Sequence, residues 1–151
     1  MKKITVMVII FTMAMMVYSA NAATIGYIDS QKVFSSYEKT KKAQEQFKKK
    51  EQFFQDEVAK RQKQVEKEKN KNISDGDLRR LAEKFNKELE PQRNDMIESQ
   101  KKVMQEIQDD IVKATEASAK RMGIEVVLDK QFIITGGTDI TEEVIKQLNK
   151  K

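Results

Sequence analysis

The chain has 151 residues, no histidine, no cysteine and a formal net charge of +5. These absences exclude an imidazole base, a thiol nucleophile, disulfides and the commonest transition-metal ligands, so we expect no enzyme, metal site or cofactor. Charged residues make up 35% of the chain and apolar residues only 38%, which favours long solvated helices over a large globular core.

Residues 1–22 have the pattern of a cleaved export signal. Lys2 and Lys3 precede an apolar run that is short for a transmembrane anchor, and Ala20-Asn21-Ala22 has the small-x-small form that signal peptidase cuts. The pattern predicts a mature chain that begins at Ala23, and because two lysines leave with the signal, its net charge falls from +5 to +3.

Residues 24–29 predict a short strand, with Ile25 and Tyr27 on one face and Ile28 on the other. Either Asp29 or Ser30 would cap the helix that follows.

Residues 31–121 have the Lys-, Glu- and Gln-rich composition of long helix, interrupted at 72–77 by Ser, Asp and Gly. We predict two antiparallel helices, over 31–72 and from Asp77 or Leu78 to Arg121, joined by a tight turn. Pro91 lies inside the second helix and predicts a kink there, not a helix end.

The predicted seam between these helices is sparse, because only half of the a and d positions on the first helix are apolar. The a positions are Tyr37, Gln44, Glu51, Val58 and Val65, and the d positions are Thr40, Phe47, Phe54, Arg61 and Glu68. The second helix has an apolar line at helical spacing, formed by Leu78, Leu81, Phe85, Leu89, Met96, Val103, Ile107, Ile111, Ala114 and Ser118.

The C-terminal part, 122–151, predicts a small β region and a final helix. Gly123 would cap the long helix in a left-handed conformation. Residues 124–128 and 132–135 predict two strands or one long bent strand, and Gly136-Gly137 predicts a turn. Asp139 and Glu142 have the spacing of a capping box for the last helix.

So few short strands cannot close a sheet within one chain, and their open edges favour pairing with other copies. We therefore predict a mainly α protein whose long coiled-coil-like hairpin projects from a β-body shared between subunits. Residues 23–30 and 122–151 would form this body, chiefly through Ile25, Tyr27, Ile28, Val126, Val127, Leu128, Ile133 and Ile134.

Two surfaces of the arm are candidate binding regions. The first helix has a net charge of +6 over 31–72, and the basic candidates there and beyond the turn are Lys41, Lys42, Lys48, Lys49, Lys50, Lys67, Lys69, Lys71, Arg79 and Arg80. The apolar candidates, which would offer scattered contacts to an unfolded chain, are Phe47, Phe53, Phe54, Val58, Phe85, Met96 and Met104.

The two ends of the chain resemble a known family. Residues 25–34, Ile-Gly-Tyr-Ile-Asp-Ser-Gln-Lys-Val-Phe, resemble the mature start of Skp/OmpH family periplasmic chaperones, and Val126-Val-Leu-Asp-Lys130 with Gly137-Thr-Asp-Ile-Thr141 resembles their ending. The resemblance implies a jellyfish-like homotrimer in the periplasm whose arms enclose a cavity. It also implies an ATP-independent holdase that keeps unfolded outer-membrane proteins from aggregating.

Some family members have a proposed lipopolysaccharide site at basic arm ends. Here Asp75 and Asp77 lie in the turn itself, a departure from that pattern. Two other hypotheses stay open: a passive coiled-coil scaffold or spacer of the envelope, and a binder of lipopolysaccharide or an anionic membrane surface. An exported protein seldom meets nucleic acid, so we expect no nucleic-acid partner.

Overall fold

The computed structural model describes residues 23–71 and 73–150, and the predicted export signal at 1–22 lies outside them. The described chain is mostly helical, with a small sheet. In chain order its elements are β1 (Ile25–Ile28), α1 (Ser30–Ser36), α2 (Glu38–Asn70), α3 (Asp75–Arg121), β2 (Val126–Asp129), a 3₁₀ turn (Lys130–Phe132), β3 (Thr138–Asp139) and α4 (Thr141–Leu148).

Helices α2 and α3 pack against each other as a hairpin, and α2 alone is about 50 Å long at 1.5 Å per residue. Every residue of the predicted apolar line on α3 is buried or half-buried, which confirms that face. The predicted a and d positions on α2 are also shielded, apart from the exposed Gln44 and Glu51. In the described residues the buried positions of these two faces lie towards the root of the arm, at Thr40, Ala43, Ile107, Ala114 and Ser118.

The first helix is not continuous, and the prediction of one helix from residue 31 was wrong. Tyr37 has an extended backbone, with ψ of 123°, and separates α1 from α2. Asn149 at the end of α4 bridges the break, because its Nδ2 donates to the Ser36 carbonyl and its Oδ1 accepts from the Glu38 N–H, both at 3.0 Å. A long-range side-chain contact that no local pattern reveals therefore satisfies the backbone groups that the break exposes.

The turn between α2 and α3 lies about two residues earlier than predicted, because α2 ends at Asn70 and α3 begins at Asp75. Ser74 caps α3 by accepting a hydrogen bond from the Asp77 N–H at 3.2 Å, so the helix begins at Asp75 and takes Gly76 into its first turn. The helix continues through Pro91, as predicted, and the kink there stays a prediction.

The three described strands form one parallel sheet in the order β2-β1-β3. Ile25 pairs with Val126 at the start of β1, and Gly26 pairs with Thr138 of β3. A parallel pair needs a long crossover, and here the whole helical hairpin forms the connection from β1 to β2. The pairing of β1 with β2 thus brings together the segments that enter and leave the helical arm.

One face of the sheet packs on a small core. Its buried members are Ile28, Val33, Ala114, Ala119, Ile124, Ile140 and Val144, from β1, α1, α3, α4 and the intervening segments. A Cβ on Gly26 would lie 3.0 Å from Ile124 Cδ1 and 3.3 Å from the Thr138 carbonyl oxygen, so the close packing of β1 at this position favours glycine. Asp29 caps α1 through the Lys32 N–H, which selects one of the two predicted caps.

The C-terminal region confirms one prediction and corrects two. Gly123 ends α3 with φ of +68°, as predicted. Residues 132–135 are not a strand: a 3₁₀ turn ends at Phe132 and irregular chain follows, because no strand within the described chain pairs with this segment. The capping box is also wrong, since Glu142 pairs with Lys32 at 2.5 Å and Asp139 accepts from the Thr141 N–H at 2.9 Å instead.

Candidate functional site

The predicted apolar contacts of the arm divide into two groups. Phe47, Phe54, Val58, Phe85 and Met96 are half-buried in or beside the seam. The other two are open to solvent, Phe53 with 63% of its surface exposed and Met104 with 40%. The arm is only two helices thick, so side chains that hold the hairpin together still present part of their surface to solvent.

Five of the predicted residues meet in one cleft midway along the arm. It has a volume of about 420 Å³ and is lined by Lys49, Lys50, Phe53, Phe54, Gln92, Asp95 and Met96. Its lining combines two aromatic rings and a thioether, which are polarisable, with two lysines and one aspartate. Such a cleft suits an apolar side chain whose neighbours along the chain are polar or acidic.

The basic candidates fall into paired and unpaired groups. Lys41 pairs with Glu38 at 3.1 Å, and Lys71 pairs with Glu68 at 2.7 Å. Arg80 lies 3.5 Å from Asp77, and Lys50 Nζ donates to Ser99 Oγ at 3.2 Å. Within the described residues, no carboxylate lies within 4.0 Å of Lys42, Lys48, Lys49, Lys67, Lys69 or Arg79. These six side chains leave α2 and the start of α3 with an available positive field.

A charged residue occupies the predicted d position at the middle of the seam. Arg61 donates to Glu57 at 2.6 Å, lies 3.8 Å from Glu88, and has its guanidinium 5.9 Å from the centre of the Phe85 ring. The hydrogen bond from Arg61, followed by that from Lys60, lowers the pKa of Glu57. The contact joins α2 to α3 through charge and cation–π attraction where apolar packing is thin.

A second polar contact joins the helices at the root of the arm. Asp110 on α3 accepts from Lys39 Nζ at 2.8 Å and from the Tyr37 hydroxyl at 3.0 Å. The Lys39 hydrogen bond is the main cause of a lowered pKa at Asp110, and burial together with the Asp110 contact raises the pKa of Tyr37. Asp110 thereby fixes α3 to the residue at which α1 and α2 separate.

The outer face of the sheet is apolar and open. Ile25, Val126 and Leu128 expose 44%, 42% and 38% of their surfaces, with Tyr27 half-buried between them. Of the other predicted body residues, Ile28 and Val127 belong to the core side, Ile133 is half-buried and Ile134 is fully exposed. Three β-branched or aliphatic side chains on one exposed sheet face form a patch that soluble single chains normally cover.

A wide groove beside the sheet was not foreseen from the sequence. It lies at the root of the arm, between α1, α3 and β2, and has a volume of about 1130 Å³. Its apolar lining includes Phe34, Met104, Ile111, Val112, Val127 and Leu128. Only Met104 had been singled out as a contact residue of the arm, because the groove exists only where three distant segments meet.

No group of three or more carboxylates close enough to hold a metal ion occurs in the described part of the chain. A search of the same residues finds no helix with the length and apolar character needed to cross a membrane.

Comparison with known families identifies the chain. A family model described as "Outer membrane protein (OmpH-like)" matches residues 24–148, and no curated protein matches significantly. The match confirms the resemblance seen at the two ends of the sequence. The family indicates a periplasmic chaperone of outer-membrane proteins, and its members are chaperones, not enzymes. On the strength of this match over most of its length, the chain belongs to the OmpH-like family.

Proposed function

We propose that this protein is an ATP-independent periplasmic holdase that binds unfolded outer-membrane β-barrel proteins between helical arms. Residues 1–22 would direct its export and be removed. The observation that carries the proposal is the combination of exposed apolar side chains with unpaired lysines on one thin arm, as with Phe53 and Lys49 in the mid-arm cleft.

The binding mode follows from the sparse seam. An unfolded chain has apolar side chains at irregular intervals, so a surface of separate weak contacts can bind many such chains without a single matched pocket. Burying one apolar side chain contributes about 1.5–3 kcal/mol, and several simultaneous contacts are needed to offset the ordering of the client. Release needs no nucleotide, because each contact is weak enough to exchange thermally.

The lysines on α2 add a long-range attraction. Outer-membrane clients that carry net negative charge would be steered towards the unpaired lysines, which raises the association rate most at low ionic strength. This term is screened beyond about 8 Å at physiological salt, so apolar contact would hold the client after capture.

The proposed assembly is a homotrimer whose subunits share the sheet region. The open face at Ile25, Val126 and Leu128 supports self-association, because its exposed apolar surface is costly in a single chain. The strand edges of β2 and β3 support it too, as sites where another chain can add.

The decisive experiment mixes the mature protein with a urea-unfolded outer-membrane barrel protein during dilution into buffer. Light scattering on a sizing column measures the mass of the protein alone and with the client. We expect a trimer that gains the mass of one client and keeps it in solution. A particle that ignores the client while the client precipitates would instead favour the scaffold. Binding to lipopolysaccharide vesicles, abolished by salt and independent of unfolded protein, would favour the membrane-surface alternative.

A point variant tests the contact surface. Phe53→Ala should weaken client binding only modestly, because it removes one of many contacts, and should leave the oligomer intact because its side chain is 63% exposed. Phe54→Ala is the matched control on the half-buried neighbouring position. If Phe53→Ala dissolves the oligomer, Phe53 is structural and its assignment to the client surface is wrong.

A further inference from the structure

The two sides of the mid-arm cleft have opposite charge. Lys49 and Lys50 line it from α2, whereas Asp95 lines it from α3. Within the described chain neither lysine has a carboxylate within 4.0 Å, and Asp95 has no lysine or arginine nitrogen within that distance. Lys50 Nζ donates to the neutral Ser99 hydroxyl at 3.2 Å, which leaves its charge uncompensated. The charges of the cleft are therefore available to a bound segment.

The apolar part of the cleft favours an aromatic side chain. Phe53 exposes 63% of its surface there, beside the half-buried Phe54 and Met96. A ring placed on these groups gains ring–ring and sulfur–ring attraction that an aliphatic side chain of similar area does not. The cleft volume of about 420 Å³ lies at the small end of the range for ligand pockets, about 300–1,000 Å³. It suits one large side chain and its immediate neighbours.

We propose that the mid-arm cleft selects client segments in which an aromatic residue lies next to an acidic one. The aromatic ring packs on Phe53, and the acidic side chain lies beside the lysines of α2. Charge complementarity identifies this occupant, because two lysines and one aspartate give the cleft a net positive charge that attracts a carboxylate and repels an ammonium group.

The inference rests on the proposed holdase function and goes further, by naming the sequence class that one cleft prefers. The other contacts of the arm remain unselective. A preference at this cleft therefore determines which segment of a client is held there, without narrowing the range of clients that the whole arm can bind.

The sequence contains no tryptophan, which permits a direct optical test with the mature protein. The probe is the peptide Gly-Ser-Trp-Asp-Ser-Gly, acetylated and amidated so that the aspartate is its only charge. Its tryptophan emission moves to shorter wavelength when the ring enters an apolar site. Two further peptides replace the aspartate by asparagine, which is neutral and of the same shape, or by lysine.

We expect the aspartate peptide to bind about threefold more tightly than the asparagine peptide at low ionic strength, which is the factor typical of one exposed charge contact. The lysine peptide should bind more weakly than both. High salt should bring the aspartate and asparagine peptides to similar affinity, because it screens the charges. A competitor with leucine in place of tryptophan should displace the probe about threefold less effectively than the unlabelled-site parent peptide.

Matched variants locate the preference in the cleft. Lys49→Gln should bring the affinities for the aspartate and asparagine peptides close together. Lys48→Gln removes the same charge from the adjacent position, outside the cleft, and should keep most of the difference. Asp95→Asn should strengthen binding of the aspartate peptide about twofold, because a repelling carboxylate is removed. Asp56→Asn, on α2 and outside the cleft, should have a smaller effect.

Equal affinities for the aspartate and asparagine peptides, or no emission change with any peptide, would overturn the inference. An equal loss of preference in Lys48→Gln and Lys49→Gln would also overturn it, because the general field of α2 would then be responsible. A competitor with alanine in place of tryptophan that displaces the probe as well as the parent peptide would show that the cleft binds any anion, including an anionic headgroup, and would refute the aromatic requirement.

The same preparation is mixed with the urea-unfolded barrel protein, so that the two proposals can fail separately. Loss of the peptide preference while the barrel protein stays in solution refutes the inference and leaves the holdase proposal standing. Precipitation of the barrel protein while the peptide preference is retained counts against the holdase proposal alone.

Discussion

The sharpest stability prediction concerns two isoleucines on the same helix. Ile107 is only 1% exposed where α3 meets the root of the arm, whereas Ile97, ten residues earlier, is 51% exposed. Replacing each by alanine removes the same three carbon atoms from the same type of backbone. Helix propensity therefore changes equally in both variants, and the difference between them reports burial.

The expected magnitudes follow from that burial. Three carbons at about 0.8 kcal/mol each give roughly 2.4 kcal/mol for Ile107, and the cavity left behind raises the loss to about 3 kcal/mol. Ile97 already exposes half of its surface, so its truncation should cost roughly 1 kcal/mol or less.

Urea denaturation followed by circular dichroism at 222 nm measures both losses. The wild type and the two variants must be compared at one protein concentration, because association contributes to the apparent stability of an oligomer. Equal losses from the two variants, or a loss below about 1 kcal/mol for Ile107→Ala, would refute the reasoning that the arm is anchored by burial at its root.

Three further predictions follow from single contacts. Because the Lys39 hydrogen bond lowers the pKa of Asp110, its contribution to stability is present above the ordinary aspartate pKa of about 4 and is lost as the pH falls through the lowered value; Asp110→Asn should flatten this acid branch in urea titrations. Gly26→Ala should destabilise the sheet by about 1–3 kcal/mol, whereas Gly76→Ala, in a helical turn with space around it, should be neutral or stabilising by up to about 1 kcal/mol in thermal melts. Asn149→Ala should cost about 1–2 kcal/mol and speed hydrogen exchange at the Glu38 amide, and unchanged exchange would contradict its bridging role.

The helical hairpin could be predicted because its signals are local. The spacing of apolar residues along α3 identified the buried face, since residues three and four apart share one side of a helix whatever the partner is. Gly123 predicted the end of α3 for a similar reason, because the residue after a helix often adopts a left-handed backbone conformation, which favours glycine. Such features depend on a few neighbouring residues, so they can be predicted from the sequence without knowledge of the tertiary structure.

The wrong predictions concern features that are determined by contacts between distant segments of the chain. The break at Tyr37 is compensated by Asn149, more than a hundred residues away, so nothing in the local helical pattern signals it. The sequence of 132–135 has strand propensity, yet a strand needs a partner, and the described chain does not supply one. Glu142 has the correct spacing for a capping box but forms an ion pair with Lys32 of α1 instead.

The candidate site also has features that the sequence predicts and features that only the tertiary structure reveals. The apolar and basic residues of the arm could be named from the sequence, because side-chain chemistry and helical spacing are local properties. Their grouping into a mid-arm cleft with Gln92 and Asp95 depended on the register between α2 and α3. The groove beside β2 required α1, α3 and the sheet to converge, which no single segment encodes.

The sequence by itself determined a long helical arm, the apolar face of α3, the family and the absence of histidine and cysteine chemistry. Only the tertiary structure decided the parallel order β2-β1-β3, the break at Tyr37 and the apolar surfaces left open beside the sheet. The physical reason is the sequence separation of the contacts involved. Helix formation is governed by contacts within one or two turns, whereas sheet pairing and grooves depend on contacts between residues about a hundred positions apart. The packing of the whole chain sets the geometry of those distant contacts.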